Sequence, residues 1–248
     1  MSLTTKQTDR VTHPNSSGPL ARRAFIKYSG ASLAAGAVIL AGCNDATTLT
    51  ELANDGRARI LEDGTIDLGS GDIGILNYAY ALEQLEAAFY MMVVEHERFD
   101  SMYSEEEREI LTDLMYHEIT HREFLKAALG DKGIPGLTPD FSSVDFSSRE
   151  SVLGTAKVFE DLGVGAYNGA GKLLADVNYL LVGGKIVSDE ARHAAAIRDV
   201  INPMSTDFSG DDVVDENGFD KALMPAEVLA AAQPFIKEKI SGANLPTR

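Results

Sequence analysis

His117-Glu118-Ile119-Thr120-His121 and Asp189-Glu190-Ala191-Arg192-His193 decide the fold. Each string sets a Glu three residues before a His inside an apolar pattern of helical period, so a carboxylate and an imidazole share one helix face. Each is preceded by a second stretch of common form. Leu82-Glu83-Gln84-Leu85-Glu86-Ala87-Ala88-Phe89-Tyr90 comes before the first, and Phe159-Glu160-Asp161-Leu162-Gly163-Val164-Gly165-Ala166-Tyr167 before the second. In both, the Glu is followed seven residues later by a Tyr. The chain therefore reads as a duplicated helix pair. One Glu from each of two helices, with Glu-x-x-His from each of the other two, is the set with which four-helix bundles hold two iron or manganese ions.

Glu83, Glu118, His121, Glu160, Glu190 and His193 are the candidate ligands. Divalent iron or manganese suits carboxylate and imidazole donors, and two such ions at close range need bridging carboxylates. Glu118 and Glu190 are the natural bridges, Glu83 and Glu160 the terminal ligands, and each ion takes one His. Four carboxylates balance two divalent cations, which makes their burial tolerable. A single Glu-x-x-His occurs on many solvated helices; the duplication carries the reading.

Other residues on these helices leave alternatives open. Tyr90 and Tyr167 lie two turns from their Glu residues, either as core aromatics with satisfied hydroxyls or as groups acting on the ligands. Glu86 shares a face with Glu83, but Gly163 stands at its counterpart in the second half; it reads as a further ligand, an acceptor beside the ligands, or a solvated side chain. Gly163, Gly165, Gly169 and Gly171 weaken a helix and point to close packing or access to the ions. His117 and His96 lack the symmetry and read as surface residues.

Outward from these strings, the first helix is expected from near Asp72 to about His96, and the second from a Ser104/Glu107 capping box to Leu129, stopped by Gly130. Residues 130–146, with Gly133-Ile134-Pro135-Gly136, are too long for a tight hairpin and read as the one long crossover of a ferritin-type bundle. A Ser147/Glu150 capping box opens the third helix, which continues to about Leu174. The fourth runs from about Asp176 to Ile201, with Gly183-Gly184 as a weak point or its true start. The fold class is thus all-α: a four-helix bundle over residues 72–202, with a C-terminal extension over 203–248 that carries a short helix from Pro225 and packs on the bundle. Asp215-Glu216-Asn217-Gly218 is no EF-hand, because Val213 stands where the first calcium ligand must be.

At 248 residues with a formal charge of −16, the chain has room for one main domain. Residues 1–42 hold five basic residues and one acidic, leaving 17 basic against 37 acidic residues beyond them, a balance that repels nucleic acid and anionic membrane. Arg22-Arg23-Ala24-Phe25-Ile26-Lys27 has the twin-arginine form and precedes an Ala- and Gly-rich run too short for a permanent span, so residues 1–42 read as an export signal. Leu40-Ala41-Gly42-Cys43 resembles a bacterial lipobox, making Cys43 the lipidated residue and the lipid the only membrane contact, in the cell envelope or periplasm. Cys43 is the sole cysteine, so no intramolecular disulfide exists. Residues 43–71, polar and Gly-rich, read as a tether or irregular cover.

Taken together, Asp72-Ile73, Leu82-Glu83-x-x-Glu86-Ala87-x-Phe89-Tyr90, His117-Glu118-x-x-His121, Phe159-Glu160-Asp161, Ala166-Tyr167, Glu190-Ala191-Arg192-His193 and Pro225-Ala226-Glu227 resemble the ferritin-like superfamily, and within it the exported bacterial proteins related to the desiccation-associated group. The resemblance implies an up-down-down-up bundle whose dinuclear centre reacts with dioxygen or hydrogen peroxide. Two iron ions are the expected cofactor, with manganese as the alternative. Ferrous iron oxidation or peroxide consumption is the expected activity. A non-catalytic metal-binding or stress-protective module and a manganese catalase-like enzyme are the alternatives. An oligomer is compatible with the chain; a closed storage cage fits poorly with a lipid anchor and an added tail.

Overall fold

The computed structural model describes residues 55–248. Residues 1–42, read as an export signal, and Cys43 lie outside the described residues. In chain order the elements are β1 (Arg59–Ile60), β2 (Ile66–Asp67), α1 (Gly71–Glu95), the one-turn α2 (Phe99–Met102), α3 (Glu105–Leu129), α4 (Arg149–Gly171), α5 (Val177–Ile201), α6 (Pro225–Ala232) and β3 (Ile240–Ser241). Four long helices form the bundle, as the sequence pattern requires. None of the described helices is long and apolar enough to cross a membrane.

Local chemistry sets the helix ends. Ser104 and Glu107 form the expected reciprocal capping box at α3, and Gly130 ends that helix with φ 54°, a backbone angle natural to glycine. The cap of α4 falls one residue beyond expectation. Ser148 accepts from the Ser151 amide, whereas the Ser147 hydroxyl bonds Asp145 at 2.6 Å. The α4 helix stops at Gly171 rather than Leu174, and the turn into α5 is held by Asp72, whose carboxylate accepts from the Ala175 and Asp176 amides at 2.7 and 2.8 Å. Asp176 then caps α5, which runs unbroken through Gly183-Gly184.

Helix directions follow from the cross-contacts. Tyr90 meets Glu160 while Tyr167 meets Glu83, so α1 and α4 are antiparallel. The Glu107–Arg149 ion pair joins the first turns of α3 and α4, which makes those two parallel. The crossover, residues 130–148, therefore travels the length of the bundle, and the order is up-down-down-up. Two buried amides of α1 fix its departure. Asn77 donates to Leu68 and Lys132 carbonyls and accepts from Ile134 N at 2.8 Å, and Gln84 accepts from Leu137 N at 2.9 Å. Its later residues Phe141 and Phe146 pack edge-on or tilted against Phe89, and Phe89 packs on Phe159, with ring centroids 5.2–5.9 Å apart.

The segment read as a tether is part of the fold from residue 55 onward. β1 pairs antiparallel with β2, and β2 pairs in parallel with β3 from the far end of the chain, with Ile66 opposite Ile240. Thr65, Ile66, Asp67 and Leu68 are buried there. The C-terminal extension lies against α4, and glycines admit it. A Cβ at Gly169 would stand 1.7 Å from the Leu223 carbonyl oxygen, and Leu223 N donates to the Gly165 carbonyl at 2.8 Å. Arg198 of α5 clamps the extension from the other side, bonded twice to Asp161 at 2.6–2.8 Å and twice to Asp212 at 2.8–3.0 Å.

Candidate metal centre

All six expected ligands converge at mid-bundle, each helix supplying its own from the face that the apolar period turns inward. Glu83, Glu118, Glu160 and Glu190 are completely buried and His193 is nearly so. Their donor atoms form two overlapping groups. Glu83, Glu118, His121 and Glu190 make one; Glu118, Glu160, Glu190 and His193 make the other, with all donor atoms in a group within 4.8 Å of one another. The shared members are Glu118 and Glu190, the two residues that the charge and spacing argument assigned as bridges.

Within the first group His121 Nδ1 lies 3.1 Å from Glu190, 3.5 Å from Glu83 and 3.7 Å from Glu118. In the second, His193 Nδ1 lies 2.8 Å from Glu118 and 3.5 Å from Glu160. Closeness here is not hydrogen bonding. Both oxygens of Glu118 and of Glu190, one oxygen each of Glu83 and Glu160, and both Nδ1 atoms are buried without a hydrogen-bond partner. Buried polar atoms that converge yet do not pair are what a cation would satisfy, and the hard-oxygen and imidazole donor set fits divalent iron or manganese.

The remaining oxygens of the terminal carboxylates are held by tyrosines. The Tyr90 hydroxyl donates to Glu160 Oε1 at 2.5 Å, and the Tyr167 hydroxyl donates to Glu83 Oε1. Each tyrosine thus orients a carboxylate of the opposite half, its buried hydroxyl satisfied by Glu160 or Glu83. Glu86 is buried, so its solvated reading falls. It occupies the room that Gly163 leaves: a Cβ at Gly163 would stand 2.8 Å from Glu190 Oε2 and 3.2 Å from Glu86 Oε1.

Electrostatics record the crowding. In the metal-free protein burial pushes Glu83 up to about 7, with Glu118 adding to it, and lifts Glu86 and Glu190 well above the ordinary range. His193 is opposed by burial, but Glu160 and Glu118 raise it to about 11; His121 is raised as well, against burial, by Asp189 and the carboxylates around it. Glu118 ends below the usual range because the two imidazoliums overcome its burial. Protons on the histidines and on the raised acids thus offset the buried negative charge.

Two further residues belong to the site. His117, read as a plain surface residue, is half exposed, yet its Nδ1 lies 2.9 Å from His193 Nε2. Asp189 places Oδ2 3.5 Å from His121 Nε2 and 3.8 Å from His193 Nε2, and the imidazole beside it draws it down to about 2. Both stand immediately before a Glu common to the two donor groups, and each faces the His of the other half. That equivalence was the available signal. His96 takes no part in the ligand cluster.

An antiparallel four-helix bundle with carboxylate and Glu-x-x-His donors facing inward in duplicate defines the class: a helical scaffold whose buried acid and imidazole cluster could hold metal. The family comparison places the chain within that class. The ferritin-like domain profile matches residues 71–203, from the first residue of α1 to just beyond α5, and the chain belongs to that family. No curated protein matches it.

Proposed function

We propose that Glu83, Glu118, His121, Glu160, Glu190 and His193 hold two divalent transition-metal ions, iron first and manganese second, and that the protein oxidises ferrous iron or consumes hydrogen peroxide. The overlap of the two donor groups at Glu118 and Glu190 carries this reading. A bound pair would supply two one-electron equivalents at one place, enough to reduce one peroxide to two waters with two protons. The chain's own part is positional. Tyr90 and Tyr167 fix the terminal carboxylates, His117 and Asp189 back the imidazoles, and the closed core keeps bulk water from the acids. For Nδ1 to be free as a donor, the proton of His193 must sit on Nε2, where His117 Nδ1 accepts it; on His121 it sits where Asp189 accepts.

Residues 1–42 and Cys43 are proposed to export the protein and anchor it by lipid in the cell envelope, on the strength of the paired arginines and the Leu-Ala-Gly-Cys string. Metabolic labelling with a fatty acid, lost in Cys43→Ser, tests that. For the centre, anaerobic loading with ferrous iron followed by metal analysis and rapid-mixing spectroscopy with oxygen or peroxide is decisive. Two ions per chain and an oxidation-linked absorbance change are expected; a chain that takes up no iron overturns the proposal.

A further inference from the structure

The two tyrosines that hold the centre have different surroundings. Beside Tyr90 stands Phe89, packed against Phe141, Phe146 and Phe159. At the equivalent places of the other half, Ala166 precedes Tyr167 and Leu82 precedes Glu83. The crossover rings do not serve that end. What remains is a cavity of about 280 Å³ bordered by Ile75, Ala79, Leu82, Ala166, Tyr167 and Ile186. It begins one turn from two ligands, since Ile186 precedes Glu190 by four residues and the bordering Leu125 follows His121 by four.

The cavity carries its own polar signal. Tyr78 lines it, is 1% exposed, and its hydroxyl has no hydrogen-bond partner. A buried, unpaired hydroxyl is costly, and one carried by a residue that borders a roomy apolar space invites a polar atom brought by a ligand. Space of about 150 Å³ with aliphatic and aromatic walls suffices for benzene elsewhere.

We propose that this cavity binds a small hydroxylated aromatic ring compound, whose ring fills the place that Phe89 fills at the other end and whose hydroxyl meets Tyr78. The bound ring would lie against Tyr167 and so beside Glu83, giving an apolar molecule access to the flank of the centre. The binding itself needs no metal. This separates the inference from the proposed function: a protein that loads iron but takes no ring compound overturns this inference alone, and the converse overturns the other alone.

Fluorescence titration with 1-naphthol tests it on the full chain, metal-free and manganese-loaded, and the absence of Trp leaves the probe's emission clear. One saturable site per chain is expected in both forms. Ala166→Phe, and separately Gly183→Leu, should weaken binding at least tenfold with melting temperature held. Gly183 borders the cavity, and a Cβ there meets nothing within 4 Å, so its replacement by a good helix former keeps the fold. Tyr78→Phe should weaken 1-naphthol several-fold while leaving naphthalene unchanged. Absence of saturable binding to the natural chain, binding undiminished by Gly183→Leu, or an equal response of the two probes to Tyr78→Phe overturns the proposal.

Discussion

The α1–α3 half and the α4–α5 half bring the same chemistry to the centre and differ in almost everything around it. Both give Glu, Glu-x-x-His and a Tyr that reaches the terminal carboxylate of the other. Where the first half has Phe89, Glu86 and His117, the second has Ala166, Gly163 and Asp189. The likeness is confined to the atoms that converge, because those must satisfy a common charge balance. The differences fall in how the two ends are filled: the crossover rings Phe141 and Phe146 pack on Phe89 at one end, whereas the other keeps a cavity beside Tyr167. A duplicated fold thus holds its centre constant and becomes asymmetric in its supports.

The likeness is broken most severely at the shared carboxylates. Glu118→Gln or Glu190→Gln removes a donor from both groups and should abolish tight binding of both ions, whereas Glu83→Gln or Glu160→Gln should leave about one per chain, by the logic of a shared ligand. Metal analysis after gel filtration distinguishes these, and equal stoichiometry across the four variants would remove the bridging assignment. Metal removal also sets a pH dependence. Glu83 at about 7 and His193 at about 11 sit above their unfolded values, so the folded metal-free chain binds more protons than the unfolded one, and its stability falls as pH rises from about 5 to 8. Metal binding must release those protons, so it tightens over the same range. The gap in melting temperature between loaded and stripped protein should therefore widen with pH; a gap that narrows would place the acids outside the site.

Second in size is the covering of the two ends. Phe89 is fully buried among four other rings, and Phe89→Ala should cost about 3–5 kcal/mol, the range for large aromatic truncation in a packed core. At the other end Leu82→Ala, beside a cavity that already exists, should fall at the lower bound for its type, about 2 kcal/mol. Urea denaturation of the metal-free variants measures both, and similar losses would mean that the two ends are packed alike.

Third are the residues behind the imidazoles. His121 has a carboxylate behind it and His193 a neighbouring imidazole, so the two ions should bind unequally. Asp189→Asn should weaken the ion at His121, and His117→Ala the ion at His193, by about 10- to 100-fold, as for partners of ligating histidines generally. His117→Asp makes the halves alike and should bring the two binding steps closer together in calorimetric titration. Two steps that stay equally far apart would show that the asymmetry arises elsewhere.

The sequence carried the helices and the converging Glu and His residues because both are local patterns. Period, caps at Ser104 and Asp176 and the Gly130 stop act within a few residues, and the Glu and His set announces itself by repetition. What it hid was non-local. β1 and β2 are two residues long each and are tied to the rest of the chain by β3, more than 170 positions from β2, so a Gly-rich stretch read as a tether or irregular cover. His117 and Asp189 serve the half they do not belong to. Arg198 reads as an ordinary charge near a helix end until Asp161 and Asp212 are seen on either side of it. The cavity beside Tyr167 is invisible for another reason: it is made by what Ala166 lacks.

The smallest effect concerns the glycines, which looked alike in sequence and are not. Gly169 has the Leu223 carbonyl where a methyl would go, so Gly169→Ala must push the extension off α4 and should destabilise the protein. Gly184 sits in the interior of α5 with nothing within 4 Å of an added Cβ, and it costs helix stability without a compensating contact. Gly184→Ala should therefore stabilise by up to about 1 kcal/mol, through the unfolded chain's lost freedom as much as through the helix. The two changes add the same methyl group to paired helices, and opposite shifts in melting temperature are expected. A loss at Gly184 equal to that at Gly169 would mean that α5 also bears a close neighbour.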